Sequence, residues 1–168
     1  AQEEIFETAN GCICCTVRGD LIRVLGQLRK RRDRFDYVLI ETTGLADPAP
    51  VIHTLMTDRI IVNRYSLDAI VTTVDAVNGD LQFDQYPESI KQAAVADRLL
   101  ITKCDMAKPE AIAALERGLR DLNPGAPIFR VRSIVGRRHF GIVLADARGF
   151  DAVLRNVARD QLARHGCR

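Results

Sequence analysis

Three of four consecutive residues near the start of this 168-residue sequence are cysteines, namely Cys12, Cys14 and Cys15. Thiolates are soft ligands, and three of them on one short segment can fill three corners of a tetrahedral site for Zn²⁺, Co²⁺ or Cu⁺. Buried packing is the alternative, but packing does not require such crowding, and adjacent cysteines make a poor disulfide framework. The cluster therefore predicts a metal site, whose fourth ligand the sequence does not identify.

Acidic residues follow three apolar segments that have the composition of buried strands, namely residues 37–40, 69–74 and 99–102. In a parallel sheet, ligands bind outside the carboxyl ends of the strands, so these acidic side chains are candidates for one shared site. We interpret Asp75 as a cap for the element that follows it. The neighbours of Glu41 and Asp105 instead suggest chemistry.

The segment from Glu41 to Gly44 combines a carboxylate, two hydroxyl groups and a glycine directly after a predicted strand. Such a segment can hold Mg²⁺ and lets a backbone N–H approach a phosphate without a Cβ in the way. It fits a switch loop that is ordered by a γ-phosphate and its Mg²⁺. An ordinary strand-to-helix turn explains the same residues equally well.

The segment Thr102-Lys103-Cys104-Asp105 follows another predicted strand and precedes a helix that begins near Pro109. The Asp105 carboxylate can accept from the ring N–H and the exocyclic amine of guanine, which adenine does not offer as a pair. The stem of Lys103 can lie along the base. Cys104 is interpreted as a core side chain beside this loop, and Cys167 as a thiol in the tail.

Helical patterns alternate with the apolar segments, and polar or proline residues punctuate them. Asp20 is predicted to cap the first helix, Pro87 and Pro109 fit first turns, and residues 123–125 end the last of these helices. A weaker fourth strand is predicted at residues 128–131. Alternation of strand and helix predicts an α/β fold with a mostly parallel sheet and helices on both faces.

Three segments follow one another along the chain: residues 8–15 (TANGCICC), 41–48 (ETTGLADP) and 102–105 (TKCD). Together, and in this order, they resemble the CobW-type branch of the P-loop metallochaperone GTPases, whose relatives are HypB and UreG. The resemblance covers about residues 5–150. It implies a P-loop NTPase-type G domain that couples GTP and Mg²⁺ to delivery of a metal ion, zinc or cobalt. It also implies a partner, either a client metalloprotein or a cofactor-biosynthesis enzyme.

The resemblance also implies a role for each matching residue. The metal thiols would be Cys12, Cys14 and Cys15. Glu41 and Gly44 would form the catalytic Mg²⁺ and γ-phosphate switch, and guanine would be read by Thr102, Lys103 and Asp105. Nucleotide hydrolysis would then change the geometry of the metal site and loosen the ion at a client.

The sequence departs from this family at the phosphate-binding loop, which has the form G-x-x-x-x-G-K-[ST]. None of its four lysines follows a glycine. We therefore expect residues 1–149 to form a G domain that is incomplete at the N-terminus, and residues 150–168 to form a helical stub towards a further domain. The 168 residues alone are expected to be inactive as a GTPase.

Composition and charge exclude several other classes. No apolar run approaches the roughly 20 residues that span a bilayer, which predicts a cytoplasmic chain without a membrane partner. Residues 130–168 carry nine arginines against three aspartates, but they do not form the aromatic-interleaved basic face of a nucleic-acid binder, so no nucleic-acid partner is predicted. A homo-oligomer is compatible with the sequence.

Two alternatives to the GTPase remain open at this stage. In one, the cysteines form a zinc-binding or metal-buffering module that works without nucleotide. In the other, the vicinal thiols Cys14 and Cys15, or Cys12 and Cys14, form a reversible redox pair.

Overall fold

The computed structural model describes residues 16–35, 37–42, 44, 46–131 and 140–145. The first part of the chain forms α1 (Thr16–Leu28), a 3₁₀ helix (Arg29–Arg34), β1 (Tyr37–Thr42), α2 (Ala49–Thr57) and α3 (Arg59–Val62). The second forms β2 (Ser66–Asp75), α4 (Gly79–Gln85), α5 (Pro87–Ala94), β3 (Arg98–Thr102), α6 (Pro109–Leu122), β4 (Ile128–Arg130) and β5 (Phe140–Ala145). No helix in these described ranges is long and apolar enough to cross a membrane.

The five strands form one sheet in the order β1-β5-β2-β3-β4. β2 and β3 are parallel, as are β3 and β4, whereas β5 is antiparallel to both β1 and β2. Because β1 and β2 both oppose β5, they run in the same direction. The predicted α/β fold with a mostly parallel sheet is confirmed.

The crossover connections explain where the helices pack. From β1 through β2 and β3 to β4, the chain always moves in the same direction across the sheet. Right-handed crossovers then place the helices that connect these strands, α2 to α6, on the same face. Side chains of α1, α2 and α3 pack over β1 and β2, and those of α4, α5 and α6 pack over β2, β3 and β4. Coverage of the other face, which was also predicted, is not tested by the described residues.

Two apolar clusters fill the space between the helices and this face. Leu25 and Ile61 are almost fully buried in the first cluster, and Leu99, Ile101 and Leu119 in the second. The continuous apolar strands supply residues to the opposite face as well, where Ala69 and Val71 of β2 are also buried. The clusters fix the positions of the strand ends, where the polar residues lie.

Most of the predicted helix punctuation is confirmed. Pro87 and Pro109 lie in the first turns of α5 and α6, and α6 ends just before Asn123. The cap predicted at Asp20 is wrong, because α1 begins four residues earlier, at Thr16, and Asp20 instead pairs with Arg23 at 3.1 Å inside the helix.

Candidate functional site

Three strands end at one edge of the sheet and bring the predicted nucleotide residues together there. β1 ends at Thr42, β2 at Asp75 and β3 at Thr102, and all three run in the same direction. Gly44 follows β1, and Asp105 follows β3. The sequence-predicted nucleotide residues therefore share the sheet edge at which ligands bind in α/β folds.

The loop after β3 is attached to β2 by backbone and side-chain hydrogen bonds. Ala76 donates its N–H to the Thr102 carbonyl at 3.0 Å, and the Thr102 hydroxyl donates to the Val74 carbonyl at 3.3 Å. Thr102 is buried, in keeping with this structural contact. Its side chain thus holds the loop against the end of β2. The base-reading role that the resemblance implies for Thr102 stays a prediction.

Lys103 adopts a conformation that is costly for a residue with a side chain. Its φ is 56°, in the left-handed region, and it is the only described non-glycine residue with a positive φ. Its ammonium group donates to Asp75 Oδ2 at 2.6 Å. The backbone turn directs the side chain of Lys103 back onto β2.

Asp75 gathers four hydrogen bonds at the end of β2. Besides the bond from Lys103, it accepts from the N–H groups of Val77 at 2.9 Å and Asn78 at 3.3 Å, and from the Asn78 side chain at 3.2 Å. Burial raises the pKa of Asp75, but the bonds from Lys103, Val77 and Asn78 together outweigh it and hold the pKa below its usual value. These bonds close the turn between β2 and α4. The predicted role of Asp75 as a helix cap is wrong, because α4 begins at Gly79 and its N-cap residue is Asn78. The ion pair with Lys103 was not predicted from the sequence.

Asp105 is two residues after Lys103 in the loop that follows β3, and its side chain is exposed. Met106 N–H donates to the Lys103 carbonyl at 2.9 Å, which closes the turn that carries Asp105. A carboxylate that projects into solvent from a fixed turn can accept hydrogen bonds from two N–H groups of a ligand. The side-chain chemistry of Asp105 therefore fits guanine.

Cys104 points the other way, into the core. It is half-buried against the second apolar cluster, and its thiol donates to the Ile101 carbonyl at 3.3 Å. Burial raises the pKa of the Cys104 thiol, so the residue is a poor thiolate nucleophile or metal ligand. The prediction that Cys104 fills core space is confirmed.

The loop after β1 is held by a buried glutamine of α5. Gln92 donates from Nε2 to the Ala46 carbonyl at 2.8 Å and to the Gly44 carbonyl at 3.3 Å. The Gln92 backbone carbonyl accepts from the Thr72 hydroxyl of β2 at 2.8 Å. Gln92 is only 5% exposed, so its amide stabilises carbonyl groups that water reaches poorly.

A second residue of α5 reinforces the same loop. Lys91 donates to Asp47 Oδ2 at 2.7 Å, and Asp47 Oδ1 accepts the N–H of Ala49 in the first turn of α2. The hydrogen bond from Lys91 lowers the pKa of Asp47 and raises that of Lys91. The pair is largely exposed, so solvent screens it and its contribution is small.

Glu41 is the next-to-last residue of β1, and its side chain is exposed at the same edge as Gly44. Its predicted role with Mg²⁺ is consistent with this position, since a carboxylate at a strand end can reach a metal directly or through water. The three predicted metal thiols, Cys12, Cys14 and Cys15, lie outside the described residues. Within the described part of the chain, no three His, Cys, Asp or Glu side chains are grouped as a metal site.

Comparison with known families identifies a match over most of the chain. The family model for the CobW/HypB/UreG nucleotide-binding domain matches residues 1–130. That range includes every residue of the predicted cysteine cluster and of both loops at the sheet edge.

Several relatives of known name are similar in sequence. The zinc chaperone YjiA of Escherichia coli (strain K12) is 39% identical over 132 residues, which cover 76% of this chain and 41% of YjiA. The zinc-regulated GTPase metalloprotein activator 1 of Schizosaccharomyces pombe is 34% identical over 126 residues, covering 72% of this chain and 31% of that protein. The zinc chaperone CobW of Pseudomonas aeruginosa is 33% identical over 149 residues, covering 75% and 39%.

A solved structure is also similar. The crystal structure of Zn(II)-bound YjiA GTPase from E. coli matches with a TM-score of 0.58 and 39% identity, over 70% of this chain and 36% of that chain. The chain thus spans only 31–41% of the length of these curated relatives.

Proposed function

This chain belongs to the CobW/HypB/UreG nucleotide-binding domain family, and we propose that it is the guanine-reading and metal-binding part of a GTP-dependent zinc chaperone. Members of this family named as zinc chaperones or zinc-regulated GTPases match it at 33–39% identity. The observation that carries the proposal is the position of two loops, after β1 and after β3, on either side of β2 at one sheet edge.

Guanine recognition is assigned to the loop after β3. Asp105 accepts from the two N–H donors of the base, while Lys103, held by Asp75, borders the same loop. The positive φ of Lys103 and its bond to Asp75 fix the turn from which Asp105 projects. A rigid turn limits the entropy lost when a base binds, which supports recognition by one carboxylate.

The switch is assigned to the loop after β1. Glu41 would help to hold Mg²⁺, and the backbone N–H at Gly44 would be available to the γ-phosphate. Bound GTP and Mg²⁺ supply the reacting phosphate and neutralise its charge. Gln92 and Lys91 hold the carbonyl groups and the carboxylate of this loop from α5. A loop attached through a few polar contacts can exchange between two arrangements at low cost.

Zinc is the cargo in this proposal, bound by Cys12, Cys14 and Cys15, with Co²⁺ as an alternative ion. Their segment leads directly into α1, which begins at Thr16. Leu21 and Leu25 of α1 pack in the same cluster as Val38 and Ile40 of β1. Helix α1 therefore connects the cysteine segment to the strand that leads into the switch loop, and this supports coupling of nucleotide state to metal release at a client protein.

The proposal is tested by titrating the purified chain with Co²⁺ and following thiolate-to-metal charge-transfer absorption in the near ultraviolet. One ion should bind per chain, more tightly as the pH rises through the thiol titration, because each ligand loses a proton on binding. Cys104→Ser is the matched control and should leave the stoichiometry unchanged. A folded Cys12/Cys14/Cys15→Ser triple variant that still shows the same absorption would disprove the metal assignment.

A second candidate is a zinc-binding module that works without nucleotide. The observation in its favour is that Cys12, Cys14 and Cys15 can bind Zn²⁺ through their own thiolates, which requires no nucleotide. The two candidates differ in one measurement, the affinity for Zn²⁺ with and without GTP and Mg²⁺ in a version of the protein that carries a phosphate-binding loop. A change in zinc affinity supports the chaperone GTPase, and equal affinities support the module.

A further inference from the structure

A small pocket lies directly behind the loop that carries Gly44. About 20 Å³ of it is open to a water-sized molecule, which exceeds the roughly 10–15 Å³ that one water needs on this measure. The lining combines residues 72–74 of β2 with one loop residue and residues of α4 and α5: Gly44, Gln82, Phe83, Ser89 and Gln92. The pocket therefore contacts the switch loop, the central part of the sheet and two helices.

A buried hydrogen-bond donor lines this pocket. Gln82 of α4 is only 7% exposed, and within the described part of the chain its Nε2 has no hydrogen-bond partner. A buried amide N–H that loses its hydrogen bonds to water costs about 1–3 kcal/mol unless an acceptor replaces them. Buried side-chain amides are almost always satisfied, by protein or by ordered water.

The neighbouring Gln92 binds the loop directly. Its amide already takes the carbonyl groups of Gly44 and Ala46, at 3.3 and 2.8 Å. A carbonyl oxygen accepts two hydrogen bonds, so the Gly44 carbonyl has capacity for a second donor besides Gln92. Ser89 and Thr73 contribute further polar groups to the lining.

We propose that this pocket binds one water molecule, which accepts from Gln82 Nε2 and joins α4 to the loop at Gly44. The chemistry of the lining selects a neutral molecule that both donates and accepts, because the pocket has an amide donor, hydroxyl groups and a carbonyl, and no charged side chain. Gln92 then holds the loop directly from α5, and Gln82 holds it through water from α4. Movement of Gly44 would change or open the water site.

The water site does not depend on the proposed function, whereas its consequence for the switch rests on it. A crystal structure of this chain at a resolution that shows ordered waters should contain a water within hydrogen-bond distance of Gln82 Nε2. Cross-peaks between a long-lived water and the Gln82 side-chain amide protons should appear in nuclear magnetic resonance spectra. A dry pocket, or a Gln82 amide bonded to a protein carbonyl instead, would overturn the proposal.

The link to the loop is tested with Gln82→Met, which keeps the size of the side chain and removes the donor. Gln85→Met, at an exposed glutamine of the same helix, is the matched control. Loss of the water should speed backbone hydrogen exchange in residues 44–47 by about tenfold in Gln82→Met only. Equal exchange in the two variants would overturn the link. If Asp105 did not bind guanine, the proposed function would fail, but the water at Gln82 and its effect on hydrogen exchange would be unaffected.

Discussion

The ion pair between Asp75 and Lys103 should be a large polar contribution to the stability of the sheet edge. We test it with Asp75→Asn, Lys103→Met and the double variant, in a double-mutant cycle. The two charged atoms lie 2.6 Å apart, and the Asp75 side chain is 8% exposed while that of Lys103 is 31% exposed. The pair is therefore shielded from much of the solvent that weakens surface ion pairs.

The expected coupling energy follows from these distances. At an effective dielectric constant of about 20, two unit charges at this separation attract by roughly 6 kcal/mol before desolvation is subtracted. Hydrogen bonds to charged groups retain about 1.5–3 kcal/mol of net stabilisation after desolvation. We therefore expect a coupling free energy of about 2 kcal/mol, because each single variant loses the same bond and the double variant loses it only once.

Two substitutions of Lys103 separate the contribution of the ion pair from the cost of its left-handed backbone. A left-handed residue with a Cβ costs about 1–2 kcal/mol, which glycine avoids. Lys103→Gly and Lys103→Met both lose the ion pair, but Lys103→Gly should be the more stable of the two by about 1 kcal/mol. Equal stability of these two variants would show that the turn is not strained.

The assay is urea unfolding followed by circular dichroism, at neutral pH and at acid pH. Because the pKa of Asp75 in the folded protein lies below its ordinary value of 3.8, the stabilisation is complete above that value and is lost as the pH falls through the folded pKa. The exposed pair Lys91–Asp47 provides the control cycle and should couple more weakly. A coupling energy below about 0.5 kcal/mol for Asp75 and Lys103 at neutral pH would refute this reasoning.

Two further predictions concern the nucleotide. In a version of the protein that carries a phosphate-binding loop, Asp105→Asn should weaken GTP binding by at least ~2–3 kcal/mol in calorimetry, and xanthosine triphosphate should regain part of the loss; unchanged GTP affinity would remove Asp105 from the site. The 168-residue chain alone should show no GTP hydrolysis above buffer in a phosphate-release assay, since no lysine and N–H cradle holds the phosphates. Turnover with Mg²⁺ would contradict this account of catalysis.

The sequence predicts the first three strands of the fold well, because continuous runs of β-branched and aliphatic residues have few other uses. The predicted strand at 69–74 corresponds to β2, although the strand itself begins at Ser66. Ser66 and Asp68 hide that boundary, because Ser and Asp are common in turns and Asp is depleted in strands. Pairing partners, rather than local composition, decide where such a strand begins.

β5 was missed for a different reason. Residues 140–145 are apolar (FGIVLA) and follow an arginine-rich stretch with no turn signal that marks a strand start. Even a correct local prediction would have put such a strand at an edge, because the chain order suggests that it follows β4. Its insertion between β1 and β2 depends on contacts far apart in sequence, with Tyr37 pairing with Ala145. Long-range pairing of this kind leaves no local signal.

The candidate site contains two kinds of residue. Some are proposed to contact the ligand, and others hold the loops that carry those residues. Glu41, Gly44 and Asp105 could be predicted from the sequence because their chemistry and order form motifs, and the fold places them at one sheet edge. Gln92 and Gln82 were missed, because a glutamine in a short helix usually faces water and nothing local marks it as buried. Gln92 is 48 residues from Gly44 in the chain, so only the fold brings them into contact.

Strand β2 lies between the loop after β1 and the loop after β3, and its side chains are linked to both. A substitution in β2 can therefore test whether the two loops are coupled. Thr72 binds the backbone of α5, whose Gln92 holds Gly44, while Asp75 three residues later holds Lys103 beside the base-reading turn. Thr72 and Asp75 lie on opposite faces of one strand, since side chains alternate along it. A shift of β2 along its axis would therefore strain both loops together. If the switch and the guanine site are coupled through this strand, Thr72→Val should alter hydrogen exchange at the loop after β3 as well as at the loop after β1. An effect confined to the loop after β1 would show that the two loops respond independently.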